Sequence, residues 1–117
     1  MSYTFLASTK LEVFSNFLNL ESISEINQFD IVYQPLIEEF KTKVLCTKEG
    51  ELIIRMESFN TIRTQILFSL FKFLQHQKGL GAILKITWKV PLDNIKMLET
   101  AMDFAELYEL QIAISID

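Results

Sequence analysis

Short β-type runs alternate with longer helical runs over the second half of the chain, and that alternation leaves few folds open. Leu52-Ile53-Ile54-Arg55-Met56 heads a run that reads as a strand over 52–59. A strongly apolar helical run follows over 61–77, with Gly79 and Gly81 as its stop. Ala82-Ile83-Leu84-Lys85-Ile86-Thr87-Trp88 reads as a central strand, apolar enough to be covered on both faces. A helix over 94–108 comes next, capped by Asp93. Its expected buried stripe is Ile95, Leu98, Ala101, Met102 and Ala105, and its wet face Glu99, Asp103 and Glu106. Gln111-Ile112-Ala113-Ile114-Ser115-Ile116 alternates as a last strand. Strands that alternate with helices pair in parallel through right-handed crossovers.

The first half is less regular. Leu11, Val13 and Phe5 mark a first strand. The alternation over 17–23 marks a half-buried second one, with Ser15-Asn16 as a hairpin turn between them. Leu36, Ile37, Phe40 and Val44 repeat at helical spacing within 30–45. Pro35 fits that helix if it falls in the first turn, so its secure part starts near Tyr33. Lys48-Glu49-Gly50 reads as a turn. The expected order is ββαβαβαβ: one α/β domain over 1–117, with three helices on a mixed, mostly parallel sheet of about five strands. STAS domains share this general architecture, a fold-level analogy only.

Composition narrows the function classes. A chain of 117 residues, half of them hydrophobic and ten of them Phe, can bury a sizeable core without disulfides or metal. The net charge of −4, with no run of Lys or Arg, argues against nucleic-acid binding and against an anionic membrane surface. The single cysteine, Cys46, allows neither an internal disulfide nor a cysteine metal site. No signal-peptide pattern and no membrane-length apolar run is present. The expectation is a soluble, cytoplasmic protein without a cofactor.

The corner Ser58-Phe59-Asn60-Thr61-Ile62-Arg63-Thr64, between strand and helix, is the place for a site. Asn60 is a good N-cap, so Thr61 opens the helix, where free N–H groups and the dipole favour a phosphate. Taken alone, a Thr in a first helical turn is commonly structural. On the helix that follows, Ile62, Ile66, Leu67, Leu70, Phe71, Phe73 and Leu74 fill one broad arc. Thr64, Gln65, Ser69, Lys72 and Gln75 fill the other, with Phe68 in their midst. Thr61 and Phe68 lie nearly in line, so Phe68 is either a docking ridge or an aromatic packed on a neighbouring segment. Arg63 falls inside the apolar arc, either snorkelling to the rim or reaching a phosphate.

Other candidates carry less. His76 has no second His or Cys beside it and reads as a surface residue near a helix C-terminus. The carboxylates of Glu99, Asp103 and Glu106 read as a solvated face. Trp88 could stack a ligand, but core packing is commoner. Gly79-Leu80-Gly81 precedes a strand and cannot form a phosphate-cradling loop. No nucleophile–base pair assembles, so an enzyme is the remote reading.

Four stretches together resemble the SiaC-type bacterial regulatory phosphoproteins. They are Phe59-Asn60-Thr61, Ile86-Thr87-Trp88, Tyr33-Gln34-Pro35-Leu36, and the helix containing Met97-Leu98-Glu99, Ala101 and Asp103-Phe104-Ala105-Glu106-Leu107. The resemblance runs from about Thr9 to the end of the chain. It implies a non-enzymatic signalling regulator. Thr61 would be phosphorylated by a dedicated Ser/Thr kinase and restored by a PP2C-type phosphatase. The unphosphorylated form would bind an effector, in the family's best-known case a diguanylate cyclase. Thr64 is the second choice of acceptor. Asn60, Thr61, Arg63, Thr64 and Phe68 would form the partner-binding surface. Where the family continues Asn-Thr-Ser-Ser, this chain has Ile62-Arg63. That departure keeps open a second reading, a constitutive interaction or dimerisation module without the phospho-switch.

Overall fold

The computed structural model describes residues 3–5, 16–21, 29–56 and 61–116. Its elements are β1 (Tyr3–Phe5), β2 (Phe17–Glu21), α1 (Phe29–Thr47), β3 (Glu49–Arg55), α2 (Thr61–Gly79), β4 (Ile83–Val90), α3 (Ile95–Leu107) and β5 (Ile112–Ile116). The strands form one sheet in the order β1-β5-β4-β3-β2, and every pairing among them is parallel. The α/β class, the three helices and the strand succession are as the sequence implies.

The amino-terminal hairpin is not. β1 joins β5, with Tyr3 opposite Ile112, and β2 joins β3, with Phe17 opposite Glu51, at the two opposite edges of the sheet. Asn16 is no exposed turn residue. It is 2% exposed, and its Nδ2 donates to the carbonyls of Phe40 (3.4 Å) and Glu49 (3.1 Å). Its own carbonyl accepts from the Glu51 N–H at 2.8 Å. These bonds tie the start of β2 to α1 and β3. The expected strand residues Leu11 and Val13 lie outside the described residues.

All three helices cover one face of the sheet. Each connection from β2 through β5 steps one strand over in the same direction, and right-handed crossovers then fall on the same side. Phe71 of α2 and Phe104 of α3 both pack on Trp88, with ring centroids 6.0 and 5.3 Å away. Gly50, opposite Leu84 on that same face, lies beneath Val44 and Phe40 of α1. The core is therefore the layer between helices and sheet. It includes Leu20, Val44, Ile54, Leu70, Phe71, Leu74, Trp88, Ala105 and Ile112, each 0% exposed. β4 is central, and the helices cover one of its faces. On the other face Ile83, at the strand start, is 65% exposed, whereas Thr87 is buried at 7%.

Helix boundaries depart from the sequence reading where tertiary contacts outvote local signals. α1 starts at Phe29, which puts Pro35 in its second turn rather than its first. An interior Pro costs roughly 3 kcal/mol. Burial of Ile37, Phe40 and Val44 against the sheet offsets that cost, whereas Leu36 stays exposed. α3 is capped by Asn94, not Asp93. The Asn94 side chain accepts from the Met97 N–H at 3.0 Å, while Asp93 sits in a turn closed by Asn94 N–H to Pro91 carbonyl. β3 begins at Glu49, straight after Lys48 at φ 60, so the expected turn is one residue rather than three. α2 runs on to Gly79, and Gly81 at φ 95 makes the turn into β4.

Candidate functional site

The candidate site is the carboxyl edge of the sheet, where β3 hands over to α2. In open parallel sheets, ligands and partners collect outside the carboxyl ends of strands, because the helix N-termini open there. β3 ends at Arg55 and α2 begins at Thr61, so the Thr61 backbone forms the first helical position. Asn60 and the rest of 57–60 lie outside the described residues. So do the side chains of Thr61, Ile62 and Arg63. Thr64 is half-buried and already makes an interaction of its own.

α3 opens beside α2 at the same edge. The Phe68 ring stacks on Phe104, with centroids 5.4 Å apart and an interplanar angle of 13°. Phe68 is seven residues past Thr61 and Phe104 nine past Ile95. At about 1.5 Å per residue, the two helix starts are level to within about 3 Å. The backbone starts of α2 and α3 therefore lie at the same edge of the sheet. Neither first turn carries an acidic residue.

Phe68 packs on a neighbouring segment and is also partly exposed. It stands among the exposed Gln65, Ser69 and Lys72, and is itself 41% exposed. Its other face packs on α3, against Phe104 and, at 6.5 Å, Tyr108. Below it Phe71 meets Phe104 edge-on at 5.1 Å. This aromatic column runs from surface to core. Burial in it pushes the Tyr108 phenol above its ordinary value.

The remaining candidates resolve simply. Trp88 is 0% exposed and belongs to the core. His76, Glu99, Asp103 and Glu106 are exposed. No group of His, Cys, Asp or Glu suited to a metal occurs among the described residues. No helix among them is long and apolar enough to cross a membrane.

The carboxyl edge also carries apolar side chains that the sequence reading did not place there. The apolar spacing of α3 predicts Ile95 in its buried stripe, yet it is 68% exposed, and Met97 and Phe104 take core positions instead. Helical phase explains the difference: at about 100° per residue, Ile95 lies well off the face that Met97, Ala101, Phe104 and Ala105 bury. Leu92, in the preceding turn, is 73% exposed. Its place between Pro91 and Asp93 was the one available signal for a surface position.

Residues 7–116, nearly the whole chain, match the family described as SiaC family regulatory phosphoprotein. No curated protein and no solved structure matches the chain significantly.

Proposed function

The chain belongs to the SiaC family of regulatory phosphoproteins, and from that premise we propose that it is a non-enzymatic, cytoplasmic signalling regulator switched by phosphorylation of Thr61. The observation that carries this reading is the start of α2 at Thr61, at the carboxyl edge of the sheet. A phosphate brings about −1.5 to −2 charges and three strong acceptor oxygens. The first turn of α2 holds no acidic residue to repel it. A negative group there interacts favourably with the helix dipole, by roughly 0.3–1 kcal/mol. The fold accommodates the modification, and its effect falls on whatever docks at this edge.

The partners in this reading are a Ser/Thr kinase, a PP2C-type phosphatase and an effector protein of the diguanylate-cyclase kind. Asn60, Thr61, Arg63, Thr64 and Phe68 form their docking surface, with Thr64 the alternative acceptor. Ile62-Arg63 in place of the family's Ser-Ser supports one competing reading, a constitutive interaction module.

Intact-mass analysis of the protein purified from its own host, with site mapping, tests the switch. One added phosphate on the Thr61 peptide is expected. Thr61→Glu should keep the melting temperature and weaken effector binding, while Thr61→Ala binds as the unaltered chain does. Unmodified protein, together with equal binding by both variants, leaves the constitutive module as the answer.

A further inference from the structure

We propose that two copies of this chain dock across the groove between α2 and α3, with α2 of each copy lying over α3 of the other. This surface shares Phe68 with the docking surface proposed above, but it requires no phosphate on Thr61. α2 contains no acidic residue, and among its described side chains Lys72 and Lys78 are exposed cations. α3 exposes Glu99, Asp103 and Glu106, with Lys96 near its start. Two neighbouring helices of one outer layer thus carry opposite charge. Among the described residues, none of Lys72, Glu99, Asp103 and Glu106 takes part in an ion pair.

That segregation is self-complementary under one symmetry. A two-fold axis along the groove keeps every residue at its height and exchanges α2 for α3, so the basic helix of each copy meets the acidic helix of the other. Taking the Phe68–Phe104 stack as the common level, Lys72 lies four residues further on and Glu106 two. The difference is about 3 Å along the axes, within reach of a lysine side chain. Lys72 of each copy therefore pairs with Glu106 of the second copy. Exposed apolar groups supply the centre: Phe68 at 41% and Leu107, one turn beyond Phe104, at 62%.

Size-exclusion chromatography with light scattering on the full chain tests this. At low ionic strength the expected mass is twice the 13.6 kDa of one chain, falling toward the single-chain value as salt is added. Lys72→Glu and Glu106→Lys, each acting twice by symmetry, should each raise the dissociation constant roughly tenfold or more. Combining the two restores the dimer. Circular dichroism checks that each variant is folded, with Lys72→Gln and Glu106→Gln replacing one that is not. A single-chain mass for the unaltered protein at low salt overturns the proposal. So does a folded double variant that stays monomeric.

Discussion

Adding one methyl group at Gly50 tests how closely α1 is seated on the sheet. Gly50 lies in β3 beneath α1, with no positive φ to forbid a side chain. A methyl placed there would stand 2.9 Å from Val44 Cγ2, 3.0 Å from Phe40 Cζ and 3.1 Å from Phe40 Cε1. Those contacts are too short, and neither neighbour can move aside freely, since Val44 is 0% and Phe40 3% exposed. Overpacking of this kind costs typically 1–3 kcal/mol. Against it, replacing Gly by Ala restricts the unfolded chain and stabilises by about 0.4–1 kcal/mol. The crowding wins, so Gly50→Ala should destabilise by about 1–2 kcal/mol, which for a chain of this size lowers the melting temperature by roughly 3–10 °C. Trp88, the single tryptophan and fully buried, reports the transition by fluorescence in a urea titration. A second variant isolates the cause. Val44→Ala alone leaves a cavity and destabilises. In the Gly50→Ala, Val44→Ala double variant the new methyl occupies part of that space. The double should therefore lose less than the sum of the singles, by about 1 kcal/mol. Strict additivity, or a Gly50→Ala chain as stable as the original, would refute the packing of α1 on β3.

Three further substitutions probe other joints of the fold. Phe71→Ala, at a 0% exposed position, should cost about 3–5 kcal/mol. Phe68→Ala should lose little beyond its aromatic stack on Phe104, about 0.5–1.5 kcal/mol, while cutting partner binding sharply. Equal thermal losses for the two would mean that Phe68 is core and no docking residue. Glu109, at φ 54 in the turn after α3, occupies a backbone conformation that suits glycine. Glu109→Gly should raise stability by roughly 0.5–1 kcal/mol in the same urea assay, although the Lys78 Nζ bond to its carbonyl must survive. A loss instead of a gain would show that the Glu109 side chain matters more than its backbone.

Much was legible in the sequence because local periodicity records which side of a segment is wet. The apolar arc of α2 is such a record: Leu67, Leu70, Phe71 and Leu74 are all buried, and Phe68 breaks the polar face as its phase requires. The start of α2 at Thr61 was readable for the same local reason, a capping residue followed by a helical run. The last three strands and the helices between them follow from period and punctuation alone.

What the sequence could not settle is non-local. Period marks β2 as a strand, while the first strand is read chiefly on Leu11 and Val13 rather than on Tyr3–Phe5; neither reading says that β1 and β2 take opposite edges of the sheet, since pairing depends on which partner edge is open after the crossovers are laid down. Asn16 looks like a turn residue until the carbonyls of Phe40 and Glu49 are brought to it from far along the chain. Pro35 argues for a helix start, and only burial of Ile37, Phe40 and Val44 carries the helix through it. Ile95 shares the apolar character of its helix, yet the face that packs on the sheet is that of Met97, Ala101, Phe104 and Ala105, and Ile95 is left in water. The chain's own pattern thus determined the elements and their wet and dry sides. The tertiary structure decided their neighbours, and with them which surface lies beside Thr61, because contacts between distant segments outweigh the small free energies that local preference supplies.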